Sequence, residues 1–331
     1  MARALVAGVD PYAPAHLLAG ELSSATGATF DHPSPHPPSL LPMLLPMAIF
    51  DYRSVATFWI LLEVAAIGGT VLLLRRLRGF SRAAALLIFL VVLGSDSARF
   101  SLVFGQFGCF LALLTAAFVV ALKEERHILA GAALGLAVAI KFWGAPLFVW
   151  LALQRRWRTL ASAGVVAGAL HALSLAFLSP AAWFDYFLQV APEVASRYVH
   201  HPANISLTSM SPALALALGV LGVIFTLRDA KVGLIYMLFL TPIVSPIAWL
   251  HGVIAWVIPI TMTLSQPVSP STKRIAGLAI AVLLLGMTPP VLWPTLERPL
   301  RLLPVLVVMA FASWSAWNAV GGLRTSYSFE T

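Results

Sequence analysis

Lys141 is a basic residue enclosed by apolar sequence, with Ile128–Ile140 before it and Leu147–Leu153 after it. An amine charge inside hydrocarbon costs roughly 3 kcal/mol or more on insertion scales, so it needs water, a partner or an anionic ligand. Gly144 and Pro146 predict that one helix ends and another begins beside this charge. We predict that Lys141 lies at the outer mouth of a helix hairpin and contacts a phosphate. The alternative is a lysine that snorkels from a helix end to lipid headgroups.

Two further residues are candidates for the chemistry. Asp10, in Gly8-Val-Asp-Pro-Tyr12, could act as a general base that removes a proton from an acceptor hydroxyl. The alternative for Asp10 is an Asx turn before Pro11. His251 could bind phosphate or orient the base, or it could be a buried histidine that is simply hydrogen-bonded. We expect Lys141 and His251 to lie close together and to face the same side of the membrane.

Four more residues are predicted to bind substrate: Arg99, Gln106, Asn204 and Trp249. Each also has a structural alternative. Arg99 can pair with Asp96 at the surface, and Gln106 can hydrogen-bond at a helix end. Asn204 can form a polar turn before the next helix, and Trp249 can belong to an interfacial aromatic belt.

The composition is that of a polytopic membrane protein. Of the 331 residues, 60% are hydrophobic and only 10% are charged, with a mean hydropathy of +0.91, whereas soluble domains carry about 25% charged residues. The net charge of +8 does not indicate nucleic-acid binding, because the basic residues form short clusters between apolar runs, as membrane topology requires. The single cysteine excludes a disulfide framework and a thiol metal site. With no Asp-x-Asp pair either, we expect no metal and no other cofactor.

The apolar runs predict an all-α fold, a polytopic transmembrane helix bundle with about eleven membrane segments and additional re-entrant or interfacial helices. Several segments are shorter than the roughly 20 residues of a perpendicular spanning helix, which suggests broken helices that line a cavity. The predicted segments are Val55–Leu74, Ala83–Gly94, Phe104–Leu122, Ile128–Ile140, Ala145–Leu153, Leu160–Leu178, Pro212–Leu227, Val232–Val244, Gly252–Leu264, Ile275–Met287 and Leu302–Val320.

Basic residues set the predicted orientation. Most lie in alternate loops that would be cytoplasmic: Arg75–Arg82, Lys123–Arg126, Arg155–Arg158 and Arg228–Lys231. We therefore predict one integral membrane domain over residues 1–331, with residues 1–50 as an extracytoplasmic loop and interfacial helix and residues 179–211 as a long extracytoplasmic loop. Because the first 50 residues would lie outside, we expect a further membrane helix to precede them in the full protein.

Six segments occur in an order that resembles glycosyltransferase family 87, a family of polytopic GT-C type enzymes that includes mycobacterial polyprenyl-phosphate-mannose-dependent α-mannosyltransferases. The similarity covers nearly the whole chain, although each motif is weak alone. The segments are Ala2–Tyr12, Pro37-Pro38, Phe104-Gly-Gln106, Ala139-Ile-Lys141 with Pro146, Asn204-Ile-Ser-Leu207 and Ser245-Pro-Ile-Ala-Trp-Leu-His251.

The resemblance implies transfer of a hexose, most simply mannose, from a polyprenyl-phosphate sugar to a glycolipid or glycan acceptor. The reaction would take place on the extracytoplasmic face of a bacterial inner membrane, without metal or nucleotide sugar, because basic residues can stabilise a leaving phosphate. Two departures stand out. The family's Gly-Gln-x-Asn is Gly105-Gln106-Phe107-Gly108 here and lacks the asparagine. Its Trp-x-His-His is Trp249-Leu250-His251-Gly252 and lacks the second histidine. The family's acidic base belongs to an element before Ala2, and Asp10 belongs to the next element.

Two other classes of function fit the same residues. A transporter or flippase for a lipid-linked sugar would also place a lysine beside broken helices, but it should show repeats in its two halves, and the long loop 179–211 has no counterpart. The second alternative is an inactive scaffold remnant of a glycosyltransferase. A transfer assay with a polyprenyl-phosphate sugar separates the three.

Overall fold

The computed structural model describes residues 1–13, 34–199, 204–264, 310 and 313, and within these residues the fold is all-α. The described part contains no strand, only an isolated bridge between Asn204 and Trp249. The predicted segments Ile275–Met287 and Leu302–Val320 lie outside the described residues. We number the helices of eight residues or more: α1 Tyr52–Arg78, α2 Arg82–Leu93, α3 Asp96–Phe104, α4 Gly108–Lys123, α5 His127–Lys141, α6 Ala145–Leu153, α7 Trp157–Ser174, α8 Ala191–Tyr198, α9 Pro212–Arg228, α10 Ala230–Leu240 and α11 Val257–Leu264.

The longest helix, α1, has clear signals at both ends. The Asp51 carboxylate accepts the Ser54 N–H at 3.0 Å at its start, and Gly79 ends it with φ 73°. Among the described helices, α1 is the one that is long and apolar enough to cross a membrane. The pair α2 and α3, bent by 59°, would make a second crossing if it counts as one span. The structure therefore gives one clear span where eleven membrane segments were predicted.

Within the described residues, the turns rich in arginine and lysine lie at one end of the bundle. Arg76 after α1 pairs with Glu124 after α4 at 2.7 Å, and the Lys123 ammonium donates to the Leu77 carbonyl. Gln154, after α6, donates to the Thr226 carbonyl near the end of α9, so these turns are neighbours too. At the start of α7, Ser162 donates to the Ile128 carbonyl of α5. The opposite end carries the start of α4 and the α5–α6 junction.

Helices α5 and α7 pack at very short range because α5 presents glycines at the contact. A Cβ atom on Gly131 would lie 2.3 Å from the Thr159 carbonyl oxygen, and one on Gly135 would lie 2.5 Å from that of Ala163. The two glycines are four residues apart and share one helix face, the small-xxx-small pattern that lets helix backbones approach.

This packing makes Gly135→Ala an informative substitution. We expect it to lower the free energy of unfolding by about 1–3 kcal/mol, because the added methyl must displace the α7 backbone. Gly164→Ala on α7 is the matched control, since its Cβ would meet nothing within 4 Å and alanine favours helix by about 1 kcal/mol over glycine. Thermal unfolding in detergent measures both. Equal melting temperatures for the two variants would contradict the close contact.

The proline-rich segment after Pro37 forms short helical pieces, since its prolines interrupt any longer helix. It runs as a 3₁₀ turn over Pro38–Leu40, an α turn over Leu41–Leu44 and another 3₁₀ turn over Leu45–Ile49. Leu40 and Leu41 are fully buried. Ser39 anchors the segment, because its hydroxyl donates to the Ala139 carbonyl in the last turn of α5 at 2.6 Å.

Candidate functional site

Lys141 is the last residue of α5, and the chain reverses immediately after it. Phe142 caps the helix with φ 46°, Gly144 follows with φ 103°, and α6 starts at Ala145 with Pro146 in its first turn. The break between two helices that Gly144 and Pro146 predict is therefore present. At a helix C-terminus the backbone dipole favours a positive charge, so the fold stabilises a cation at this position.

The Lys141 side chain meets His251, which lies 110 residues further along the chain. Lys141 Nζ and His251 Nε2 are 2.8 Å apart. A charged lysine has only donors, so Nε2 accepts and the neutral imidazole carries its proton on Nδ1. That Nδ1 is buried and has no hydrogen-bond partner among the described residues. The structure thus brings together the two residues expected to share the site.

His251 is held by close packing from α3 and α4. The Phe100 ring stacks on the imidazole with centroids 5.9 Å apart and planes 14° from parallel. A Cβ on Gly108, the first residue of α4, would lie 2.3 Å from the His251 carbonyl oxygen. Only glycine allows this approach. The backbone of the histidine therefore rests directly on the start of α4.

A second histidine, His36, belongs to the same site. The bond from Ser39 to the end of α5 brings His36, three residues earlier in the chain, near Lys141. The His36 ring meets the Phe107 ring edge-on, with centroids 5.0 Å apart. Burial, together with the nearby Lys141 ammonium and the N-terminal ammonium, lowers the pKa of His36 to about 3. His36 is therefore neutral near pH 7 and contributes hydrogen-bonding capacity without a charge.

The site carries positive charge that no acid balances within the described structure. No carboxylate there pairs with Lys141, although Glu124 and Glu193 form ion pairs elsewhere. A partly buried ammonium held by a neutral imidazole is suited to an anion, and a phosphate offers several oxygens to its N–H donors.

The site is recessed from the N-terminal end of α1. The start of α4 is level with Glu63 of α1, because the Cys109 thiol donates to the Glu63 carboxylate. Glu63 lies about 16 Å along the helix axis from Tyr52, at 1.5 Å of rise per residue. His251 rests on that same turn of α4, so its backbone lies at a similar depth.

Asn204 ties its own segment of the chain to the segment that leads to His251. Its Oδ1 accepts the N–H groups of Ser206 and Ala248 at 3.1 and 3.0 Å, and its Nδ2 donates to the Tyr198 and Pro246 carbonyls and to the Ser209 hydroxyl. The side chain is 2% exposed, so its polar atoms are occupied by protein. Trp249, half-buried, pairs with Asn204 in the isolated bridge and packs edge-on against Tyr198.

The remaining predicted residues lie around this centre. Asp10 is exposed, and its Oδ1 accepts the Tyr12 N–H at 2.9 Å, which is the Asx turn named as its alternative. Tyr12 in turn packs on Tyr186 and donates to the His36 carbonyl, so the N-terminal segment lies beside His36. Arg99 is exposed on α3, one residue before Phe100. Gln106 is half-buried in the turn between α3 and α4, beside Phe107.

Comparison with known proteins supplies the family. Residues 35–259 match the profile of glycosyltransferase family 87, a region that includes His36, Lys141 and His251. The chain belongs to glycosyltransferase family 87. This family-87 chain is also similar to the polyprenol-phosphate-mannose-dependent alpha-(1-2)-phosphatidylinositol pentamannoside mannosyltransferase of Mycolicibacterium smegmatis. The two sequences are 25% identical over 332 aligned positions, and the alignment covers 88% of this chain and 78% of the relative. No solved structure matches the chain significantly. A membrane glycosyltransferase is the class of protein that these comparisons support.

Proposed function

We propose that the protein transfers a hexose, most simply mannose, from a polyprenyl-phosphate sugar to a glycolipid or glycan acceptor on the extracytoplasmic face of a bacterial inner membrane. The observation that carries this proposal is the Lys141–His251 pair, which is recessed in an apolar bundle. Its lysine is a cation without a carboxylate partner among the described residues. The named donor of the mycolicibacterial relative, polyprenol-phosphate-mannose, has the phosphate that such a pair would bind.

The proposed reaction exchanges one bond for another at the sugar. The acceptor hydroxyl oxygen forms a bond to C1 as the bond from C1 to the phosphate oxygen breaks, and polyprenyl phosphate leaves with one additional negative charge. The Lys141 N–H donors would stabilise that charge as it develops. His251, by accepting one of these N–H groups, would fix the direction of the others. Phosphate departure stabilised in this way needs no metal.

The proton of the acceptor hydroxyl needs a base, and Asp10 is the residue that we propose for it. The Asx turn occupies Oδ1, and a carboxylate has a second oxygen that can accept a proton. Arg99, Gln106 and Trp249 are proposed contacts for the donor or acceptor. The polar atoms of Asn204 are occupied by protein, so we propose that Asn204 fixes the position of the segment that carries His251 and does not contact substrate.

The membrane arrangement is part of the proposal. We infer one integral, multi-pass GT-C type domain, with the arginine-rich end in the cytoplasm and the Lys141 end outside. Residues 1–50 and 179–211 would then form the extracytoplasmic surface around the site. Membrane lipids would contact the exposed apolar side chains of α1, such as Phe58 and Leu61.

Purified protein in lipid nanodiscs tests this function. With radiolabelled polyprenyl-phosphate mannose and a phosphatidylinositol mannoside acceptor, we expect labelled sugar to move to the acceptor and chelators to have no effect. Donor binding without transfer would indicate a scaffold remnant. In proteoliposomes, movement of intact donor between leaflets without transfer would indicate a flippase. Either result would contradict the proposed function.

A further inference from the structure

Glu63 is a fully buried carboxyl group in the middle of α1 that the proposed reaction does not use. Its side chain is 0% exposed, and no lysine or arginine pairs with it among the described residues. A carboxyl group in such a position is costly unless hydrogen bonds satisfy it, and an ionisable residue within an apolar span usually has a function.

The two carboxyl oxygens of Glu63 contact two different helices. Ser101 of α3 donates its hydroxyl to Oε1 at 3.0 Å, and Cys109 of α4 donates its thiol to Oε2 at 3.8 Å. Ser101 and Cys109 are both fully buried. One side chain therefore ties both sides of the α3–α4 turn to α1.

That turn supports both histidines of the site. Phe100, one residue before Ser101, stacks on His251, and Gly108, one residue before Cys109, meets the His251 carbonyl. Phe107 faces the His36 ring. A shift of α3 or α4 away from α1 would therefore move Phe100 or Gly108. These residues position the His251 imidazole, which in turn holds Lys141.

We propose that Glu63 is a positioning residue for phosphate binding, through hydrogen bonds to Ser101 and Cys109 that fix the support beneath His251. The inference rests on the proposed function, since it assigns Glu63 to the same site. It needs hydrogen bonding from position 63, which a glutamine also provides, and does not need a negative charge there.

The test compares Glu63→Gln with Glu63→Leu, and uses Cys109 as a reporter. Cys109 is the single cysteine of the chain, so maleimide labelling reports on this contact alone. For Glu63→Leu we expect labelling at least about tenfold faster, because local opening exposes the thiol, and a loss of transfer of about 100-fold, because a small misplacement of a catalytic group has effects of that size. The loss should appear mainly in kcat, because Lys141 acts on the charge that develops as the phosphate leaves.

Glu63→Gln should restore labelling and transfer to within a few fold of the unmodified protein. Thr70→Val is the matched control: Thr70 is buried on the same helix, and among the described residues its hydroxyl donates to the Ala66 carbonyl of that helix and to no other helix. If Glu63→Leu does not fold, Ser101→Ala removes one of the two bonds and should give smaller changes in the same direction.

The outcomes separate this inference from the proposed function. If the unmodified protein transfers sugar and the Leu and Gln variants behave alike in labelling and kcat, Glu63 is not a positioning residue. A folded Ser101→Ala variant with unchanged labelling and kcat would overturn it as well. If no variant or unmodified protein transfers sugar but Cys109 labelling still follows the expected order, the contact stands and the proposed function fails.

Discussion

Replacing Lys141 by methionine is expected to reduce sugar transfer by about 10²–10³-fold, the usual effect of removing one donor that stabilises a developing anion. Methionine keeps the length and apolar stem of lysine but removes its N–H donors. The loss should fall mainly on kcat, since the charge on the phosphate grows as the sugar leaves. Initial rates with labelled donor in nanodiscs measure it.

Lys141→Arg should retain part of the activity, because a guanidinium keeps the charge but has a different shape. Lys231→Gln is the matched control, since it removes an exposed lysine at the arginine-rich end of the bundle and should leave the rate unchanged. A methionine variant as active as the Lys231→Gln control would show that Lys141 does not stabilise the leaving group.

Replacing Asn204 by alanine is expected to lower the free energy of unfolding by about 3 kcal/mol, because it leaves buried backbone groups without partners. The affected groups are the N–H groups of Ser206 and Ala248 and the carbonyls of Tyr198 and Pro246. Transfer should fall as well, since Ala248 lies three residues before His251. Thermal unfolding and initial rates on the same preparation measure the two effects.

Ser209→Ala provides the control for Asn204. It removes the hydroxyl that accepts from Asn204 Nδ2 but leaves the four backbone contacts in place, so we expect a loss of only about 1 kcal/mol. If Asn204→Ala were as stable as Ser209→Ala but much less active, Asn204 would contact the substrate directly, and its assignment as a positioning residue would be wrong.

Local sequence signals predicted much of the fold. The helix break after Lys141 follows from Gly144 and Pro146, whose preferences act within a few residues. The short helical pieces after Pro37 follow from their prolines in the same way. Some boundaries were wrong. The helix predicted over Gly252–Leu264 is a 3₁₀ turn over Leu250–Trp256 followed by α11. A helix was also predicted over Phe104–Leu122, but α3 ends at Phe104 and α4 begins at Gly108. Gly105 in the left-handed region, with φ 58°, makes the turn, and that glycine was the available signal.

The contacts that make the site could be anticipated only in outline. Lys141 and His251 were expected to meet, but the bond of the lysine to Nε2 depends on how α3 and α4 support the histidine. His36 was not among the predicted site residues, and only the Ser39 bond to α5 shows that it neighbours Lys141. Glu63 was missed, although a lone carboxylate inside the apolar run Val55–Leu74 is a signal that can be read from sequence.

The central claim, that Lys141 and His251 hold the phosphate of a lipid-linked sugar, is tested most directly by binding. Titration calorimetry with a short-chain isoprenyl phosphate, and with the corresponding alcohol as control, compares the unmodified protein with Lys141→Met. We predict that the substitution raises the Kd for the phosphate by about tenfold or more, equivalent to about 1.4 kcal/mol, and leaves the weak binding of the alcohol unchanged. Equal affinity of both proteins for the phosphate would contradict the claim.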